Sequence, residues 1–212
     1  MSNNQSKELT SIWTPANIVT CVRIVFIPVF MVLSALSFSG TPMNLPGGSY
    51  TFEPTLAIAA FMLYMVLSLT DKLDGYLARS RNEITDFGKF LDPIADKLLV
   101  FSALLLILQF GAVSVWSVFI ILFREFLVSA LRMVASANGT VIAADTLGKW
   151  KTATTMVSLC GYLLSFALIA IGFEQAMTLL FVSRILMGVA VVLTVVSGAQ
   201  YFWNCRKIVF SV

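Results

Sequence analysis

Residues 71–97 read DKLDGYLARSRNEITDFGKFLDPIADK and hold six of the chain's 11 acidic residues. Apolar runs flank them, PTLAIAAFMLYMVLSLT at 54–70 and LLVFSALLLILQF at 98–110. An acid at bilayer depth costs about 2.5–3.5 kcal/mol on insertion scales, and less toward the interface. Acids at the ends of two oily helices therefore need something to offset them. At about 100° per residue, Asp71, Asp74, Gly75 and Ala78 share one face of the first helix, and Gly88, Asp92 and Asp96 one face of the second. Asp71 precedes Asp74 by three residues and Asp92 precedes Asp96 by four, so each pair can converge on one ion. A short turn joins the helices and lets the two faces meet.

Two divalent cations neutralise four carboxylates completely. Hard oxygen donors without His or Cys suit Mg²⁺, Mn²⁺ or Ca²⁺, and paired metals are a recurring device in phosphoryl chemistry. The plainer alternative is a set of salt bridges to Arg79, Lys89 or Lys97. Four acids at helical spacing on facing helices favour the ion site. Gly75, Ala78 and Gly88 leave room for a ligand beside it, although small residues also serve close helix packing.

The whole chain has 212 residues, 58% of them apolar and 12% charged, with a mean hydropathy of +0.91. A soluble domain carries about twice that share of charge. A membrane-spanning helix needs about 20 apolar residues, so the composition predicts one polytopic, all-α membrane domain. The apolar segments place six helices at about 17–36, 54–78, 86–109, 115–137, 147–171 and 175–203. A polar loop at 41–53 carries Pro42, Pro46, Gly47 and Gly48, and Gly111, Asn138-Gly139 and Gly172 mark later breaks. This gives a cytoplasmic segment over 1–14, the six-helix domain over 15–205 and a cytoplasmic tail over 206–212. Arg23 interrupts the first apolar run, and the leader before it has Lys7 balanced by Glu8; an uncleaved first span is expected rather than a signal peptide.

Lys and Arg set the orientation. The stretches 40–53, 109–114 and 172–175 contain neither. Arg79, Arg81 and Lys89 flank the turn between the second and third helices, Lys149 and Lys151 open the fifth, and Arg206 and Lys207 follow the sixth. Alternate connections are thus basic, which predicts six transmembrane helices with both termini cytoplasmic. Arg184 falls toward the other side and reads as an arginine reaching outer head groups. The net charge of +3 includes no basic run, so nucleic acid is not suggested. Cys21, Cys160 and Cys205 have neither metal nor disulfide spacing. The chain has no histidine, which removes histidine triads, histidine-ligated zinc and a histidine general base.

The pattern Asp71-x-x-Asp74-Gly75-x-x-Ala78-Arg79, eight residues, then Gly88-x-x-x-Asp92-x-x-x-Asp96, resembles without departure the signature of the CDP-alcohol phosphatidyltransferase family. Pro15-x-Asn17-x-x-Thr20-x-x-Arg23 is similar to that family's first-helix pattern. FGKFLDPIADKLLV, REFLVSALRM and LGKWKTATTM resemble the bacterial phosphatidylglycerophosphate synthases within it. The likeness runs from about 15 to 160 and fades in the last helix.

This resemblance implies transfer of a phosphatidyl group from CDP-diacylglycerol to an alcohol, with release of CMP. It implies Asp71, Asp74, Asp92 and Asp96 around two divalent cations, Mg²⁺ or Mn²⁺, with Asp96 also the general base. It implies nucleotide contacts from Asn17, Thr20, Arg23, Gly75, Ala78, Arg79 and Gly88, and a homodimer in the membrane lipid. Capping at Asn17 and snorkelling at Arg23 are the plainer readings of those two. Arg124, Arg132, Lys149 and Lys151 crowd the cytoplasmic side of helices four and five, with Glu125 able to partner an arginine. Positive-inside bias accounts for the lysines but poorly for Arg124, which lies deeper. A surplus of cations beside an anionic site suits an acceptor bearing phosphate. Glycerol 3-phosphate fits; choline and ethanolamine do not.

A CDP-diacylglycerol-dependent cardiolipin synthase is the nearest alternative, since its acceptor is also an anion. A divalent-cation transporter would need polar groups through both halves of the bilayer, and here the acids cluster on one side. A membrane prenyltransferase would need more helices than this chain supplies. The cost of the acids speaks against a purely structural role.

Overall fold

The computed structural model describes residues 14–80, 86–137 and 146–209; within these spans the side chains of 16, 71–80, 86, 89, 90, 92, 135–137 and 205–209 lie outside the description. The described residues form six α-helices and one β-hairpin: α1 (Pro15–Ser37), β1 (Phe38–Gly40), β2 (Tyr50–Phe52), α2 (Pro54–Ser80), α3 (Asp86–Gln109), α4 (Val115–Ala137), α5 (Thr146–Ala170) and α6 (Ala176–Val209). The expected helices are all present. Thr14 caps α1, accepting from the Asn17 backbone N–H at 3.3 Å, and Pro15 fills the first turn, where no N–H is needed. Glu53 opens α2 in the same way, accepting from the Leu56 N–H at 2.6 Å. That bond holds the exposed Glu53 carboxyl below its usual pKa.

Among the described residues, three helices are long and apolar enough to cross a membrane: Asn17–Ser37, Thr146–Ala170 and Ala176–Asn204. They mark the chain as a membrane protein. The apolar part of α2 is shorter, Pro54–Thr70, and α3 and α4 carry the charged side chains of the site. At 34 residues, α6 is about 51 Å long against a hydrocarbon core of about 30 Å. It runs through the expected start of the tail at 206 and ends at Val209.

α5 packs along α6, α1 along α2 and α3, α4 on α6, and α2 on α5. Lipid gives no hydrophobic drive between helices, so close packing and hydroxyl bonds must hold them. Ser158 Oγ of α5 donates to the Ser183 carbonyl of α6 at 2.8 Å. A Cβ built on Gly161 would lie 3.3 Å from Ser183 Cβ, which leaves that crossing no spare room.

The segment expected as plain loop contains the hairpin. Phe38 pairs with Phe52, Ser39 with Thr51 and Gly40 with Tyr50, antiparallel. Its reason is local: Tyr50-Thr51-Phe52 is a β-prone triplet whose Phe52 turns inward. Phe52 stacks on Phe166 of α5 at 4.8 Å between ring centroids, and Phe38 stacks on Phe110 at 4.7 Å. Phe110 and Phe166 meet edge-on at 5.5 Å, so four rings close this end of the bundle. Gly111, at φ +73°, lets the 43–44 segment lie directly on the α3 terminus, where Met43 N–H bonds to the Phe110 carbonyl at 2.9 Å.

Phe52→Ala should destabilise the protein by about 3–5 kcal/mol, seen as a lower thermal midpoint in detergent. An unchanged midpoint would show that the ring cluster does not hold the hairpin down.

Candidate active site

At the end opposite the rings, α2, α3, α4, α5 and α6 surround a cavity of about 930 Å³. Asp96 and Lys97 reach it from α3, Arg124, Glu125, Ser129 and Arg132 from α4, Lys149 and Thr152 from α5, and Tyr201 from α6. The helical repeat explains the α4 face, because 125, 128, 129 and 132 follow the i, i+3, i+4, i+7 rule. The cavity wall therefore holds four cations against two carboxylates, all described. Val128, Met156 and Val157 supply apolar surface between them.

Lys151, Glu125, Arg124, Ser129 and Lys97 are tied into one network, and Arg132 is tied separately to α6. Lys151 of α5, buried behind the wall, donates from Nζ to Glu125 Oε1 of α4. Arg124 Nη1 reaches the same oxygen at 3.3 Å. Lys97 Nζ donates to Ser129 Oγ, tying α3 to α4, and Ser129 Oγ passes a hydrogen bond to the Glu125 carbonyl at 2.7 Å. Arg132 Nε donates to Tyr201 Oη of α6 at 3.3 Å. Glu125 is the hub. Its single carboxylate offsets two cations that would otherwise repel each other in a low-dielectric wall.

A second group lies on α1. Asn17, Thr20 and Arg23 recur every three residues on its buried face. Thr14, not Asn17, is the cap. Arg23 is 1% exposed, so it does not snorkel; its Nε donates to Thr70 Oγ1 at 3.4 Å, one residue before Asp71. Gly88 is buried on α3.

Of the residues read from the sequence, the cavity brings together Asp96, Arg124, Arg132 and Lys149. Lys151 supports it through Glu125 rather than lining it. Asn17, Thr20, Arg23 and Gly88 are not among its described lining residues. The side chains of Asp71, Asp74, Ala78, Arg79 and Asp92, and the surroundings of Gly75, lie outside the description. Among the described residues no group of three His, Cys, Asp or Glu gathers; three of the four acids in question are not among them. The sequence reading missed Ser68, Ser129, Thr152 and Tyr201 in the wall, and gave Lys97 no place there. Ser129 was findable, on the α4 face between Glu125 and Arg132. Tyr201 was not, because the stretch of α6 leading to it is mostly apolar and its rotation depends on its neighbours.

A sequence model of the CDP-alcohol phosphatidyltransferases matches residues 13–196. The chain belongs to the CDP-alcohol phosphatidyltransferase family. The family generally uses divalent metal ions. A relative from Bacillus subtilis (strain 168), named CDP-diacylglycerol–glycerol-3-phosphate 3-phosphatidyltransferase, is 39% identical over 197 residues, covering 90% of this chain and 96% of that protein. One of the same name from Rickettsia bellii is 35% identical, covering 90% and 94%. A probable phosphatidylglycerophosphate synthase from Mycobacterium tuberculosis is 33% identical, covering 88% and 78%.

Removing the hub is the direct test of the network. Glu125→Gln leaves Lys151 buried without its counter-ion and should cost about 3 kcal/mol of stability. Adding Lys151→Met should restore most of the thermal midpoint in detergent; failure to restore it would mean that the pair is not the source of the loss.

Proposed function

We propose that this membrane-embedded member of the family transfers the phosphatidyl group of CDP-diacylglycerol to sn-glycerol 3-phosphate, giving phosphatidylglycerophosphate and CMP. One observation carries the reading: a single cavity sets Asp96 beside Lys97, Arg124, Arg132 and Lys149. A carboxylate among an excess of cations suits an acceptor that needs a base at its hydroxyl and counter-charge at its phosphate. The names of the Bacillus and Rickettsia relatives support the same acceptor.

The one described acid of the four, Asp96, fits the metal chemistry. Asp96 offers hard oxygen on the cavity wall, and among the described residues no His or Cys stands in that wall to favour a softer ion. Asp71, Asp74, Asp92 and Asp96 hold two divalent cations, Mg²⁺ or Mn²⁺. When bound, such ions offset the diphosphate charge and stabilise CMP as the leaving group. Asn17, Thr20, Arg23, Gly75, Ala78, Arg79 and Gly88 receive the nucleotide. Arg124, Arg132 and Lys149 orient the acceptor phosphate, with Lys151 keeping Glu125 in place behind them. Asp96 takes the acceptor hydroxyl proton on a carboxylate oxygen as that hydroxyl bonds to the lipid-side phosphorus and the bond to CMP breaks.

The six helices are six spans of the cytoplasmic membrane, with both termini and the cavity facing the cytosol. The alternation of basic connections supports this, as does the placement of the charges at one end and the rings at the other. The family resemblance extends the reading to a homodimer.

In detergent with CDP-diacylglycerol and Mg²⁺ or Mn²⁺, CMP should be released with glycerol 3-phosphate and not with phosphatidylglycerol. The reverse result would make the chain a cardiolipin synthase. A chelator should abolish release, and Asp96→Asn should lower kcat by about a hundredfold or more while the protein stays folded. Near-normal turnover in that variant removes Asp96 as the base. For topology, with the native cysteines replaced, Gly47→Cys should react with an impermeant maleimide in intact cells and Gly139→Cys only after lysis. The opposite pattern inverts the orientation.

A further inference from the structure

The family match stops at residue 196, but the cavity does not. Two residues of α6 beyond that point govern its two arginines. Tyr201 lines the cavity, and its ring is buried against Val128 and Leu131 of α4. It accepts from Arg132 Nε at 3.3 Å, with the guanidinium carbon 5.6 Å from the ring centroid. A bond at Nε leaves both Nη groups, the fork that grips a phosphate in two places. Gly198 is buried one turn earlier. A Cβ built there would stand 3.1 Å from Arg124 Cγ, and one built on Gly148 would stand 3.3 Å from Arg124 Nη2. Arg124 therefore threads between two glycines, its far end held by Glu125. Its Nε is buried without a hydrogen-bond partner among the described residues. An unpaired donor on a buried charge is costly, and an oxygen-rich anion is what relieves it.

We infer that Tyr201 and Gly198 are positioning residues for a phosphate-bearing acceptor, Tyr201 aiming the Arg132 fork and Gly198 giving Arg124 its path. The inference rests on the reading that these arginines receive the acceptor phosphate. It places part of acceptor recognition in the segment of α6 outside the matched family residues.

The test is steady-state CMP release by the full chain, varying each substrate in turn. Tyr201→Phe should raise the acceptor KM about tenfold, with kcat and the KM for CDP-diacylglycerol within about twofold of wild type. In an Arg132→Gln background the same change should add nothing further. Gly198→Ala should also raise the acceptor KM while the thermal midpoint holds or rises, because alanine favours a helix interior by about 1 kcal/mol over glycine. That combination separates positioning from folding damage. An unchanged acceptor KM in both variants, equal rises for both substrates, or a full additional effect of Tyr201→Phe without Arg132 overturns the inference. A wild type that uses phosphatidylglycerol in place of glycerol 3-phosphate sinks only the acceptor reading; the same KM comparisons with that phosphate-bearing acceptor then decide the inference.

Discussion

Charge cannot stand alone inside an apolar helix bundle. Each ion must meet a counter-charge or hydrogen-bond partner, or open onto water. That constraint shapes this molecule. Glu125 answers Lys151 and Arg124 at once. Ser129 receives Lys97, Tyr201 receives Arg132, and Thr70 receives Arg23. None of these partners is a near neighbour along the chain except Arg124 and Glu125. The charges thereby fix which helix faces which: Lys97 joins α3 to α4, Lys151 joins α5 to α4, and Arg132 joins α4 to α6. The polar network specifies the arrangement at this end as much as packing does.

The opposite end solves a different problem. It closes by dense contact. Phe38, Phe52, Phe110 and Phe166 do so with ring separations of 4.7 to 5.8 Å. Between the two ends, α5 and α6 approach closely at Gly161 and Ser183. A wet, charged end is thus built on a dry, tightly packed one. The described side chains of the cavity all stand on helices, which hold geometry better than loops.

Much of this was legible in the sequence, and the reasons differ by residue. Helix positions followed from apolar length and from Pro and Gly punctuation, and they hold. Asp96, Arg124, Arg132 and Lys149, which line the cavity, were singled out because a charge in an apolar run demands an explanation. Lys151 was singled out for the same reason, but its neighbour in space, Glu125, holds it behind the wall rather than in it. The hairpin was hidden because a triplet such as Tyr50-Thr51-Phe52 forms a strand only when a partner three residues long pairs with it. Tyr201 was hidden because a tyrosine in a long apolar helix looks like any other packed ring; only the rotation of α6 against α4 turns its hydroxyl toward Arg132.

The same geometry argues against a conduit for ions. A transport path needs polar groups facing a route through both halves of the membrane. Several buried hydroxyls along the helices are spent locally. Ser102 donates to the Leu99 carbonyl at 2.9 Å, Ser165 to Gly161 at 2.6 Å, Ser183 to Leu179 at 2.8 Å and Thr194 to Ala190 at 2.6 Å. Each satisfies itself within its own helix, and these four form no line of ligands from one end to the other. Beyond them the four rings close the far end. The charged cavity therefore stands apart from those rings, walled by Asp96, Arg124, Arg132 and Lys149 at the other end of the helices.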